Sequence, residues 1–199
     1  MLSVSLVPFL PRFAATIRRL ALGLLFASLL AGGYLGYLRL SGNLYEVIPG
    51  ELYRSAQPSP GRIDEYARAY GIRSILNLRG ANPDKQWYVD EVATAKALGI
   101  DHLDFRMSAK RELTIDQVHD LLEIMRDAPK PLLIHCEGGA DRTGLASVLY
   151  LNQIAGTSEE KAEQQLSLRF GHIGIPLLSR AYAMDDTWEM IEKAFGIEN

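Results

Sequence analysis

The chain has 199 residues, of which 48% are hydrophobic, 23% charged and one is cysteine. That length is ample for one well-buried domain, and a single cysteine excludes an internal disulfide. A formal charge of −3, with no basic stripe interleaved with aromatics, argues against nucleic acid as a partner. The charge is unevenly spread. Four of the basic residues (Arg12, Arg18, Arg19 and Arg39) and none of the acidic ones lie before residue 41, so the first 40 residues carry a formal +4. The remainder sets 17 basic against 24 acidic residues, a formal −7.

Leu20 to Leu38 is a run without a charged residue, of the length a bilayer-spanning helix needs. Arg12, Arg18 and Arg19 precede it and Arg39 follows, so the positive-inside rule puts the N-terminus in the cytoplasm and the rest of the chain across the membrane. Tyr34 and Tyr37 suit the far interfacial belt. The expected division is an N-terminal arm over 1–19, an anchor over 20–40 and a domain over 43–199. Two other readings compete with the anchor. One is a signal peptide cleaved near Ala31-Gly32-Gly33, although signal cores are shorter than this run. The other is a buried core helix.

Beyond the linker Ser41-Gly42-Asn43, Leu44–Ile48 and Glu51–Arg54 are expected to pair around the Pro49-Gly50 turn. Ser59-Pro60 opens a helix that Gly71 closes after Tyr70. Ser74–Leu78 reads as a strand, Lys85–Leu98 as an amphipathic helix ending at Gly99, and His102–Arg106 as the next strand. Thr114-x-x-Gln117 is a capping box for a helix running to about Asp127. Pro129 and Pro131 bracket the entry into the apolar strand Pro131–Ile134, and Leu145–Leu151 is an apolar core helix. Thr157-x-x-Glu160 is expected to cap a further helix, and a last one covers Arg180–Phe195. Strands alternating with helices predict an α/β domain whose mostly parallel central sheet is flanked by helices, with the site at a strand's C-terminal end.

Between the last of those strands and the core helix runs His135-Cys136-Glu137-Gly138-Gly139-Ala140-Asp141-Arg142-Thr143-Gly144, which contains the lone cysteine. Strand, glycine-bearing loop and helix gather backbone N–H groups and the positive end of a helix dipole around one point. An unperturbed thiol has a pKa of about 8.5, and such surroundings favour the nucleophilic thiolate. Arg142 supplies a planar fork for two phosphate oxygens. Thr143 is expected to place a hydroxyl on the sulfur. A buried structural thiol is the plainer reading of Cys136, and the arginine six positions on argues against it.

From His135 to Thr143 the pattern His-Cys-x-x-Gly-x-x-Arg-Thr resembles the signature of cysteine-based protein tyrosine and dual-specificity phosphatases. Leu52–Pro58 and Gly71–Gly80 are similar to compact bacterial members of that superfamily. The resemblance implies a dual-specificity-phosphatase-like fold, Cys136 as nucleophile, Arg142 as phosphate binder, and Glu137, Gly138, Gly139, Ala140 and Thr143 as part of the phosphate loop. The substrate it implies is a phosphorylated protein or phospholipid; no cofactor is expected, and membrane attachment is expected from the N-terminal apolar run.

For the general acid, three carboxylates compete: Asp141, then Glu112, then Asp104. Asp141 directly precedes Arg142, as in myotubularin-type phosphatases, where that position has the acid role. A loop-bracing hydrogen bond to neighbouring N–H groups is its alternative. Glu112 lies in a loop and Asp104 has the spacing of the acid in many relatives. His135 reads as a partner of loop carbonyls. Arg54 and Arg79 end strands and line the pocket or else lie free on the surface. His102, His119 and His172 have no metal-ligand spacing, so no metal is expected. The activity expected is hydrolysis of phosphate monoesters through a phosphocysteine. Phospholipid or phosphoinositide hydrolysis, a non-catalytic phosphate-binding module and a rhodanese-type sulfur transferase are the alternatives.

Overall fold

The computed structural model describes residues 9–197, with side chains from residue 14, so the first eight residues of the expected arm lie outside it. It contains two compact units, with the chain dividing between Tyr37 and Leu38. The first is helix α1 (Phe9–Ser41), which runs on into the second by three residues past Leu38. From Ala14 to Ser41 it is long and apolar enough to cross a membrane, and none of its apolar window is buried. Leu24, Phe26 and Leu29 are exposed on it. A helix apolar on every side needs either a protein core or lipid around it.

The second unit begins at Leu38, ahead of the Asn43 boundary expected from sequence, because Leu38 and Asn43 are both buried. Residues 41–43 are a fixed turn rather than a free linker. The Asn43 N–H donates to Leu38 O at 2.9 Å, and Arg62 donates to Leu40 O and Ser41 O at 2.6 and 2.8 Å. Strands β1 (Tyr45–Ile48) and β2 (Leu52–Ser55) form the expected antiparallel hairpin, with Gly50 at a φ of 69° in its turn. Next come α2 (Pro60–Tyr70), β3 (Ser74–Asn77), α3 (Gln86–Leu98), β4 (Asp101–Asp104), α4 (Ile115–Asp127), β5 (Leu132–His135) and α5 (Asp141–Gln153). The short α6 (Glu159–Glu163), 3-10 turns at Leu168–Phe170 and Arg180–Tyr182, and α7 (Ala183–Phe195) complete the described residues.

The sheet order is β1-β2-β5-β3-β4, parallel except for β1. Alternation along β5 divides the core. Leu132 and Ile134 face α4, α5 and α7, whereas Leu133 joins Ile63, Tyr66 and Ala95 from α2 and α3. Helix α5 is buried from Thr143 through Leu151, touching β2, β5, α4, α6 and α7. That burial anchors the helix whose N-terminus starts at the cysteine loop. Burying one leucine of this kind contributes roughly 1.5–3 kcal/mol.

Local signals account for most of the boundaries. The Ser59 hydroxyl caps α2, with Pro60 in the first turn and Gly71 left-handed at its end. Both bonds of the Thr114–Gln117 capping box form. Three expectations need correction. Strand β4 stops at Asp104 instead of reaching Arg106, because pairing beyond it thins to Phe105 N–H on Asn77 O at 3.0 Å. Helix α6 is a single short turn capped at Ser158, not Thr157, and makes no side-chain cap bond. The last helix begins at Ala183, after a 3-10 turn held by the Ser179 hydroxyl accepting from Ala181 N–H.

Candidate active site

The loop from Cys136 to Ala140 joins the C-terminal end of the central strand β5 to the N-terminus of α5. Four of its carbonyls accept from donors outside the loop's interior. The Gln57 backbone N–H donates to Glu137 O at 3.2 Å, while the His135 ring Nδ1 lies 3.3 Å from Cys136 O. Asn43 Nδ2 donates to Gly138 O at 2.9 Å. Arg54 Nη2 donates to Gly139 O at 2.8 Å and to Ala140 O at 3.2 Å. With the carbonyls drawn outward, the loop's N–H groups are left to a ligand at its centre. The Gly139 N–H already donates to Cys136 Sγ at 3.3 Å. Gly139 has a φ of 69°, and a Cβ there would lie 2.5 Å from Ala56 N, so both dihedral and space require glycine.

Cys136 is buried at 3% exposure, while Glu137 and Gly138 open to solvent. Arg142 is half-buried, and its Nε is buried without a hydrogen-bond partner. A guanidinium N–H left unpaired in the first turn of the helix that follows the loop suits a tetrahedral oxyanion. Thr143 does not behave as expected. Its Oγ1 is buried without a partner, so the hydrogen bond to the sulfur comes from Gly139 instead.

Arg54 is not a surface residue; it is wholly buried behind the loop. It also donates from Nη1 to Gln165 O and Oε1, both at 2.8 Å, and lies 3.9 Å over the Phe170 ring. Burial pulls its pKa down to about 9, which leaves it protonated at neutral pH. Arg79 lies 3.6 Å over the Trp87 ring and donates to Gln57 Oε1 at 2.8 Å. Burial lowers its pKa too, opposed by the charge of Glu137 and reinforced by that of Arg142.

Two clusters that sequence reasoning missed flank the loop. Glu91 on α3 is fully buried, with Oε1 3.0 Å from His135 Nε2 and 2.7 Å from His102 Nε2, and Oε2 accepting from Gln57 Nε2. Burial pushes its carboxyl pKa up, but the two histidine hydrogen bonds outweigh this and hold it at about 2. An ionised Glu91 accepts at Oε1, so both histidines donate there. On the other side His172, at 3% exposure, has Nδ1 2.8 Å from Asp141 Oδ1 and Nε2 3.0 Å from Asp185 Oδ2. Burial pulls its pKa down, yet the two aspartates win and raise it above 6.5. Helical spacing offered a signal for Glu91, which shares the buried face of α3 with Ala95 four positions on. Nothing local marked His172.

The three acid candidates are now apart. Asp141 begins α5, directly before Arg142, and its bracing partner is the His172 ring rather than a neighbouring N–H. Asp104 accepts from Asn77 Nδ2 at 2.8 Å and from the Tyr88 hydroxyl. It ends β4, two strands from β5, a backbone separation of about 10 Å. Glu112 is exposed and lines grooves beside Arg111 and Lys193, not the loop. Among the described residues, no group of three or more His, Cys, Asp or Glu side chains is arranged to hold a metal ion.

A search of curated proteins finds no significant match. Several solved structures share the fold. TpbA of P. aeruginosa has 23% identity and a TM-score of 0.55, over 78% of this chain and 92% of that one. The core catalytic domain of the S. cerevisiae PP-IP phosphatase SIW14, in complex with citrate, has 24% identity and a TM-score of 0.56, over 79% and 94%. PTPMT1 in complex with PI(5)P has 15% identity and a TM-score of 0.56, over 76% and 98%. The family described as "Tyrosine phosphatase family" matches residues 34–168, well over half of the sequence. With the cysteine–arginine loop and the α/β architecture around it, that match makes this chain a member of the tyrosine phosphatase family, among the cysteine-based phosphatases.

Proposed function

We propose that the protein is a membrane-anchored phosphatase that hydrolyses phosphate monoesters of protein tyrosine or dual-specificity type through a phosphocysteine on Cys136. The observation carrying this reading is the loop's outward-bonded carbonyls, from Glu137 O to Ala140 O, around a sulfur that already accepts one loop N–H. The Cys136 thiolate attacks phosphorus, a P–S bond forms and the bond to the ester oxygen breaks. Arg142 and the loop N–H groups hold the equatorial oxygens, where charge gathers in the transition state. Asp141 delivers a proton to the leaving oxygen, and His172 donates to the carboxylate that remains. Water then attacks phosphorus, Asp141 takes its proton, the P–S bond breaks and phosphate leaves with the thiolate restored.

Helix α1 is read as the anchor, with the N-terminus cytoplasmic and the domain beyond the membrane. Its length and apolar composition support a span, and fit a signal sequence equally. Turnover of a generic aryl phosphate by the full chain in detergent tests the reaction. Expected are inhibition by vanadate and loss of activity in Cys136→Ser. Activity surviving in Cys136→Ser, or sulfur transfer from thiosulfate without phosphatase turnover, overturns the proposal. A protein recovered from membranes without α1 removes the anchor.

A further inference from the structure

The segment after the first 3-10 turn exposes an unusual amount of apolar surface. Leu168, Ile173, Ile175, Leu177 and Leu178 are exposed at 67%, 43%, 46%, 103% and 82%. Residues 173–178 are exposed without interruption. Leu177 at the tip also has a φ of 65°, a left-handed conformation that is costly for leucine. Within the domain, nothing is gained from this strained and solvated leucine. The segment is fixed at its base: Phe170 O accepts from Asn43 Nδ2 at 2.8 Å, and His172 is bonded to Asp141.

Asn43 connects three things. It stands two residues after the end of α1, its side chain holds Gly138 O of the cysteine loop, and the same Nδ2 holds Phe170 O. Chain length limits how far Asn43 lies from the end of the apolar run. From Tyr37, four helical steps and two extended ones cover about 13 Å at most. Headgroups alone occupy roughly 5–8 Å on each side of a bilayer. If α1 spans the membrane, Asn43 and the loop carbonyl it holds lie at the bilayer surface. The segment's own charge agrees: from Gln164 to Met184 there is no acidic residue and Arg169 and Arg180 are exposed, while the Asp185 carboxylate that packs against it is held by His172 at 3.0 Å. An apolar tip flanked by arginines matches an anionic lipid surface.

From this we propose that residues 168–178 form a lipid-contact surface, which dips Leu177 and Leu178 into the bilayer that holds α1 and seats the phosphate loop at the headgroup level. The proposal rests on the anchored reading of α1. It is tested with full-length Leu177→Trp, a substitution at a fully exposed site, in vesicles of phosphatidylcholine and phosphatidylglycerol brominated high on the acyl chains. Relative to unbrominated vesicles, and after subtracting the parent protein's Trp87 and Trp188 signal, emission from position 177 is expected to be roughly halved, at the depth interfacial segments reach. Unchanged emission overturns the proposal. So does a blue-shifted but unquenched signal, which would place a second copy or another protein on the surface. Turnover of soluble aryl phosphate by the same sample separates the two claims. Quenching without turnover keeps the surface and removes the phosphatase; turnover without quenching does the reverse.

Discussion

The two histidine clusters beside the loop are inverses of each other. Around Glu91, one carboxylate serves two histidines; around His172, one histidine serves two carboxylates. In each, the outnumbered group is buried and its pKa moves toward the charged form, despite a burial penalty that opposes this. The difference lies in access. Glu91 and His135 are fully buried and underpin the strand end, whereas Asp141 and Asp185 keep side-chain exposures of 30% and 25%. The first arrangement suits a fixed foundation, and the second suits a group that exchanges protons with solvent.

Breaking the first cluster is expected to have the largest effect. Glu91→Ala leaves the buried His135 and the partly buried His102 without their shared acceptor and lowers unfolding free energy by about 3–5 kcal/mol, read from urea denaturation. A loss below one kcal/mol there would mean the cluster is not ionic. In the second cluster, His172→Asn is expected to lower kcat by about 10- to 100-fold with KM little changed, and to alter the pH–rate profile. If KM rises while kcat holds, His172 serves binding rather than proton transfer.

The clusters also divide the pH range. Glu91 has a depressed folded pKa, so its stabilisation is complete above about 4.5 and is lost as pH falls toward about 2. His172 has a raised one, so its stabilisation is complete below 6.5 and is lost as pH climbs through the higher native value. Urea midpoints measured across pH are expected to lose the acid limb in Glu91→Gln and the alkaline limb in His172→Asn. Loss of both limbs in either variant would show that the clusters are coupled through the loop. The smallest effect serves as the reference. The exposed Arg68–Asp64 pair on α2 is expected to contribute at most about 0.5 kcal/mol, checked by Asp64→Asn.

Much of the fold was legible because its signals are local. The Thr114 capping box, the Ser59 and Gly71 caps and the Pro49-Gly50 hairpin each act over a few residues, and each forms. Thr157 failed because its neighbour Ser158 sits at the cap position instead. The cysteine loop was legible for the same reason, being continuous in sequence. Its supports were not. Asn43 and Arg54 reach the loop across 95 and 85 residues, Glu91 meets His135 across 44, and His172 meets Asp141 across 31. Pairings at such separations are fixed by the sheet order and by the buried faces of α3 and α5, which periodicity alone does not arrange in space.

Arg54, clamped between the loop and Phe170, has one more implication. A cradle braced so thoroughly from behind meets an incoming oxyanion without rearranging, since its ordering cost fell due when the chain folded. The same stiffness gives the departing product nothing to push against. On the proposed reaction, free inorganic phosphate is expected to enter the same mould and hold the enzyme back as a competitive inhibitor, an inhibition that weakens when the brace is loosened.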